Sequence, residues 1–227
     1  MSHPQQITLY TAKASPFAHR VSMALEEAKA DAKPEWFAAQ VNPADKVPAI
    51  TYGGPDVPPS SPSSESTKLA ESLVIVEFIA DLYPDSNLLP KDPVLRAKAR
   101  FFIETFTAKF SPRSFILRNE PYQPILDAIA AIQDLLPESG MWAVGDAFSI
   151  ADLNFAPLYA RFKLTIDSGL GMYEPGKDRE LLNAMADPKY AKFNAYVAHL
   201  LERPSFKATW DEAYVKAFMQ VRLARPS

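Results

Sequence analysis

The sequence predicts an α/β domain followed by an all-helical domain. Three observations carry that reading. Residues 7–28 run strand, turn and amphipathic helix; the segment 84-PDSNLLPKDP-93 crowds three prolines among turn formers; and beyond it the strand signal disappears while long helical patterns repeat. The expected division is therefore 1–86 and 87–227.

Ile7-Thr8-Leu9-Tyr10 is β-branched and aromatic, as a short strand requires. After it Phe17, Val21, Ala24, Leu25 and Ala28 recur at helical spacing, with His19, Arg20, Ser22, Glu26, Glu27 and Lys29 assigned to the other faces. Ser15 stands at the N-cap and Pro16 at the first helical position, where a fixed φ and a missing N–H do no harm. Ala49 to Tyr52 reads as a strand entered through Pro48 and left through Gly53-Gly54, with Lys68-Leu69-Ala70 as its hairpin partner. Between them, residues 53–67 (GGPDVPPSSPSSEST) hold four prolines and five serines, which reads as a mobile surface insertion. Ser72 to Tyr83 is largely apolar without a breaker and reads as a buried helix ending before Pro84.

In the second part helices are expected over 96–110, 125–136, 150–162, 188–201 and 206–219, the first kinked or ended near Phe110 by Pro112. Ser149 and Asp152 have capping-box spacing, flanked by Phe148 and Leu153 as a hydrophobic staple, and are read as a helix start rather than as chemistry.

Composition removes several function classes. A net charge of −3 without a basic block gives no footprint for nucleic acid or an anionic membrane surface. No apolar run approaches a membrane span, and the first residues lack a secretory pattern, so a soluble, cytoplasmic protein is expected. With no cysteine, the chain itself has no disulfide, thiolate ligand or sulfur nucleophile; any reactive sulfur must arrive with a ligand. The three histidines are scattered and no metal site is expected; no GxSxG or glycine-rich phosphate loop is present.

Taken in order, Ala14-Ser15-Pro16-Phe17, Lys33-Pro34-Glu35-Trp36, Lys46-Val47-Pro48-Ala49, Glu71-Ser72 and Ser149-Ile150-Ala151-Asp152 resemble the glutathione transferases, over nearly the whole chain. The Lys-Pro-Glu-Trp piece and the Ser-Pro-Phe turn are similar to the omega class and its serine-bearing fungal members. The resemblance implies a thioredoxin-like βαβαββα domain that binds glutathione, then a helical bundle forming a hydrophobic substrate site, and a homodimer built from contacts between one subunit's first domain and the other's helices. Most omega members carry Cys-Pro-Phe where this chain has Ser15-Pro16-Phe17, so disulfide exchange through that residue is closed to it. A serine can instead donate a hydrogen bond to the glutathione sulfur beside the positive end of a helix.

The resemblance further implies that Val47 and a cis Pro48 hold the cysteinyl backbone as an added strand. Glu71 and Ser72 would hold the γ-glutamyl end, and Lys33 or its rival Lys46 the glycyl carboxylate. Phe17 would border glutathione and, with Arg113, Phe115, Tyr122, Trp210 and Phe218, line the second-substrate site. The implied activity is conjugation of glutathione, as co-substrate, to electrophilic aromatic compounds such as isothiocyanates, with peroxide reduction as a further type. The alternative is a ligandin-type protein that sequesters hydrophobic or phenolic molecules with incidental turnover.

Overall fold

The computed structural model describes residues 5–30, 32–35, 41, 42, 44 and 46–224. It divides into two compact units, Met1–Leu89 and Pro90–Ser227.

The first unit is built on a four-stranded sheet: β1 (Ile7–Tyr10), β2 (Ala32–Glu35), β3 (Ala49–Tyr52) and β4 (Thr67–Ala70), in the order β2-β1-β3-β4. β2 lies parallel to β1, whereas β3 is antiparallel to both β1 and β4. Helices α1 (Pro16–Ala28) and α2 (Ser72–Leu82) pack against each other. This is the thioredoxin-like arrangement; the helix expected between β2 and β3 falls mostly on residues 36–46, largely outside the described residues. Every β1 side chain is buried, so both faces of the sheet are covered.

Residues of the expected mobile insertion cover one of those faces. Thr8 and Tyr10 point to the same side, and the Tyr10 hydroxyl donates to the Pro59 carbonyl at 2.7 Å. The insertion turns at Pro58, whose carbonyl accepts from the Ser61 N–H at 2.9 Å. Its base is pinned where the Ser66 hydroxyl donates to the Gly53 carbonyl at 2.9 Å. Gly53 and Gly54 leave β3 at φ 70° and 76°, a left-handed path that glycine takes without a Cβ penalty. Beneath the insertion a cavity of about 10 Å³, bordered by Thr8, Thr51, Val57 and Pro59, has room for one water molecule.

The helical unit comprises α3 (Pro93–Lys109), α4 (Arg113–Arg118), α5 (Gln123–Leu135), α6 (Ile150–Asp167), α7 (Lys177–Met185), α8 (Ala191–Leu201), α9 (Pro204–Thr209) and α10 (Glu212–Arg222). Helix α6 is the central element, packing on α3, α7, α8 and α10. Phe155 on α6 gathers Phe102 and Phe106 of α3 with Tyr196 of α8, at ring separations of 6.2, 5.2 and 6.3 Å. Such pairs add about 0.5 to 1.5 kcal/mol each beyond area burial. That packing carries α6 through Pro157, so the helix runs on to Asp167 instead of stopping at Phe162. The expected helix over 206–219 is instead two, α9 and α10, separated at Trp210 and Asp211, where Asp211 caps α10 by accepting from the Tyr214 N–H at 3.0 Å. The segment expected as one helix over 188–201 opens with a 3-10 turn, Pro188–Tyr190.

The Ser149–Asp152 capping box forms. The Asp152 carboxylate accepts from the Ser149 N–H at 2.9 Å, from the Ser149 hydroxyl at 3.1 Å and from the Ala143 N–H at 2.7 Å.

Candidate glutathione site

The register of the sheet brings three of the predicted site segments to one end. Tyr10 pairs with Ala49, and Ala49 with Ala70, so these three form one rung. Just beyond it lie the turn that leads to Ser15, the Val47-Pro48 bond that precedes Ala49, and Glu71-Ser72, which follows Ala70. Three stretches far apart in sequence therefore meet at a single edge.

Ser15 is the N-cap of α1, as expected: its Oγ accepts from the Ala18 N–H at 3.2 Å, and Pro16 takes the first helical position. Its own N–H closes the preceding turn on the Ala12 carbonyl at 2.9 Å. Capping uses an oxygen lone pair, so one hydroxyl can cap its helix and donate its hydrogen to a ligand sulfur at the same time. Phe17, next along, is half exposed.

The Val47–Pro48 peptide is cis. Val47 packs against a small cluster of Tyr10, Val41 and Ala49, and Pro48 is buried. The carbonyl of exposed Lys46 accepts from Asn42 Nδ2 at 2.9 Å, which steadies the approach to the cis bond. Lys33 lies on β2, paired in register with Thr8, one residue further from the site end than Pro34; its side chain is outside the described residues.

Glu71 has φ 70° and ψ 115°. For a non-glycine residue this sparsely populated conformation costs about 1 to 3 kcal/mol, and such strain concentrates at functional sites. Ser72, the first residue of α2, is buried, and its Oγ accepts from Arg20 Nη1 at 3.1 Å. The sequence assigned Arg20 and His19 to a polar face of α1, whereas they are 3% and 5% exposed. Burial lowers the Arg20 pKa to about 10, which leaves the guanidinium cationic at neutral pH.

In the helical unit the predicted substrate-wall residues separate. Phe115 is buried, stacked on Tyr173 at 4.8 Å and edge-on to half-buried Tyr122 at 6.0 Å. Arg113 is exposed at the start of α4, and Phe218 is exposed on α10. Trp210 is half buried, stacked on Phe206 at 5.4 Å, and the Arg161 guanidinium lies over its ring at 5.1 Å. Arg161 is also buried, which lowers its pKa to about 10; it donates to the Pro157 carbonyl at 3.1 Å. The sequence reading did not single out Arg161, since nothing in its neighbourhood distinguishes it from a solvated helix arginine. Among the described residues no cluster of three or more His, Cys, Asp or Glu could hold a metal, and no helix is long and apolar enough to cross a membrane.

Residues 14–82, which contain the turn at Ser15, the cis proline and Glu71-Ser72, match the family model of the glutathione S-transferase N-terminal domain. Over its length the chain is similar to glutathione transferase Omega 1C from Trametes versicolor, with 45% identity, a TM-score of 0.93, and 97% and 98% of the two chains covered. The chain belongs to the glutathione transferase family. It is of the omega type, and this relative fixes the assignment across both units. Glutathione transferase Omega 2S from the same fungus, in a structure with 2,4-dihydroxybenzophenone, is 40% identical, with a TM-score of 0.89 and 96% and 99% of the two chains covered. Pyrimidodiazepine synthase of Drosophila melanogaster is 32% identical over 97% of this chain and 88% of its own length.

Proposed function

We propose that this omega-type transferase conjugates glutathione to electrophilic, aromatic small molecules, with Ser15 stabilising the attacking thiolate. The observation that carries the proposal is the meeting of Ser15, the cis Val47–Pro48 peptide and the strained Glu71-Ser72 pair at one end of the sheet.

Each part has a role that follows from its chemistry. The backbone at Val47, held by the cis proline, offers main-chain hydrogen bonds to the cysteinyl part of the tripeptide, as an added strand would receive. The Glu71 carboxylate takes the γ-glutamyl ammonium, and the Ser72 hydroxyl with the α2 N-terminus takes the α-carboxylate. Lys33 or Lys46 takes the glycyl carboxylate. Ser15 then donates to the sulfur. A thiol of pKa ~8.5 is about 3% ionised at pH 7; lowering it by ~2 units makes it mostly thiolate, at about 2.7 kcal/mol of differential stabilisation. A charge-assisted hydrogen bond of about 1.5 to 3 kcal/mol, with up to ~1 kcal/mol from the helix terminus, supplies that amount.

For the second substrate the half-exposed Trp210, backed by Phe206 and the Arg161 cation, offers an aromatic platform with a positive charge beside it. This suits planar electrophiles and phenols. Val94 and Phe101, exposed on one face of α3 a heptad apart, support a homodimer, to be measured by sedimentation equilibrium.

A second reading, sequestration of phenolic compounds with incidental turnover, is favoured by the 2,4-dihydroxybenzophenone complex of the Omega 2S relative. The test is the conjugation rate with a reactive isothiocyanate and the glutathione affinity, for wild type and Ser15→Ala. A rate loss of about tenfold or more at nearly unchanged affinity supports the enzyme, since a contact made mainly to the thiolate raises rate more than binding. Binding without turnover in wild type supports the carrier.

A further inference from the structure

A buried cation on α1, a side chain that the sequence placed off the apolar stripe of that helix, reaches across to the start of α2. Arg20 stands five residues after Ser15, in the second turn of α1, and is 3% exposed. Its Nη1 donates to Ser72 Oγ at 3.1 Å, across to the first residue of α2. The half-exposed ring of Phe17 lies 5.1 Å from its guanidinium carbon and screens it from water on that side.

The direction of the hydrogen bond matters. Guanidinium has donors and no acceptors, so toward Arg20 the Ser72 oxygen can only accept. The hydroxyl hydrogen is thereby turned to another acceptor, and a hydroxyl that accepts from a cation is a stronger donor in its turn. A neutral serine at a helix start becomes a polarised donor with a buried positive charge behind it, reinforcing the partial positive charge of the α2 N-terminus.

We infer that Arg20 is a positioning residue for the glutathione reaction: through Ser72 it sets the donor that receives the γ-glutamyl α-carboxylate, and so makes this end of the site selective for ligands that carry that carboxylate. This rests on the proposed reading of Glu71-Ser72 as the γ-glutamyl clamp. Phe17 is then a cover for the Arg20 cation as well as a border of the site. The burial that lowers the Arg20 pKa to about 10 leaves it charged throughout the working range, so the device is constant and not a pH switch.

The test is a cycle between side chain and ligand. Titration calorimetry with glutathione, and with 4-aminobutyryl-cysteinyl-glycine, the same tripeptide lacking the α-carboxylate, is run on wild type, Arg20→Gln, Arg20→Lys, Ser72→Ala and the Arg20→Gln/Ser72→Ala double variant. Wild type is expected to lose about 30-fold in affinity when the carboxylate is removed. Arg20→Gln and Ser72→Ala should each shrink that loss to about threefold, and the double variant should do no more than either single one, because the two residues act as a unit. Arg20→Lys, which keeps the charge without the planar fork, should fall between; it decides the question if Arg20→Gln does not fold, as judged by thermal melting. Equal weakening of both ligands in the Arg20 variants would make the arginine merely structural and overturn the inference. Additive effects in the double variant would overturn the route through Ser72. Failure of wild type to bind glutathione would instead sink the underlying reading of the site.

Discussion

Replacing Asp152 by asparagine tests how the capping box of α6 balances charge against burial. The carboxyl is fully buried and receives three hydrogen bonds, yet desolvation outweighs them and raises its pKa from 3.8 to about 6. A carboxyl that holds its proton more tightly when folded stabilises the fold most when protonated. Its contribution is present below the unfolded pKa and declines as pH rises from about 4 to 6, reaching a plateau above. A shift of roughly 2 units corresponds to about 3 kcal/mol over the whole window, of which about 1.3 kcal/mol falls between pH 5 and 7. Asparagine cannot titrate; it keeps one acceptor oxygen but sets an amide N–H₂ against the Ser149 N–H, which costs about 2 kcal/mol. In urea unfolding at pH 5, 6 and 7, the stability gap between wild type and Asp152→Asn should therefore be wider at pH 5 than at pH 7 by about 1.3 kcal/mol. A gap that widens with rising pH would mean that the hydrogen bonds hold the carboxylate ionised and that desolvation does not dominate.

Other parts of the molecule give equally direct expectations. Glu71→Gly should raise thermal stability by about 1 kcal/mol, because glycine relieves the φ 70° strain, while glutathione binding measured by calorimetry weakens at least tenfold. Tyr10→Phe removes the hydrogen bond to the Pro59 carbonyl; it should cost about 1 kcal/mol and speed hydrogen exchange within residues 55–66, leaving the helical unit unchanged. Trp210→Ala should weaken binding of aromatic acceptors about tenfold and leave glutathione affinity intact, as read by steady-state kinetics with both substrates varied.

The sequence was most legible where local chemistry and tertiary role coincide. Ser15-Pro16 and Ser149/Asp152 announce helix starts because caps work through nearest neighbours, and both form as read. Val47-Pro48 and Glu71-Ser72 could be placed at one end of the sheet once the strand order was supplied by resemblance. Side chains whose role depends on burial were not legible. Arg20 and Arg161 look like ordinary helix-surface cations, and only the packing of α1 on α2, and of Trp210 on α6, takes them out of water. The insertion at 53–67 carries no periodicity, and its polar, proline-rich composition gave no sign that the Pro59 carbonyl accepts from the Tyr10 hydroxyl of the sheet. Short helices escaped for a similar reason: α4 spans six residues between Pro112 and Asn119, and the break at Trp210 follows from the Asp211 cap, a signal weaker than the aromatic spacing that runs across it.

The central claim is that the Ser15 hydroxyl stabilises the sulfur of bound glutathione as a thiolate. The direct measurement is a pH titration of thiolate ultraviolet absorbance for glutathione bound to wild type and to Ser15→Ala. The account predicts a thiol pKa about 2 units below that of free glutathione in wild type, with at least one of those units lost in Ser15→Ala. An equally depressed pKa in both proteins would contradict it and transfer the stabilisation to the helix terminus and its buried cation.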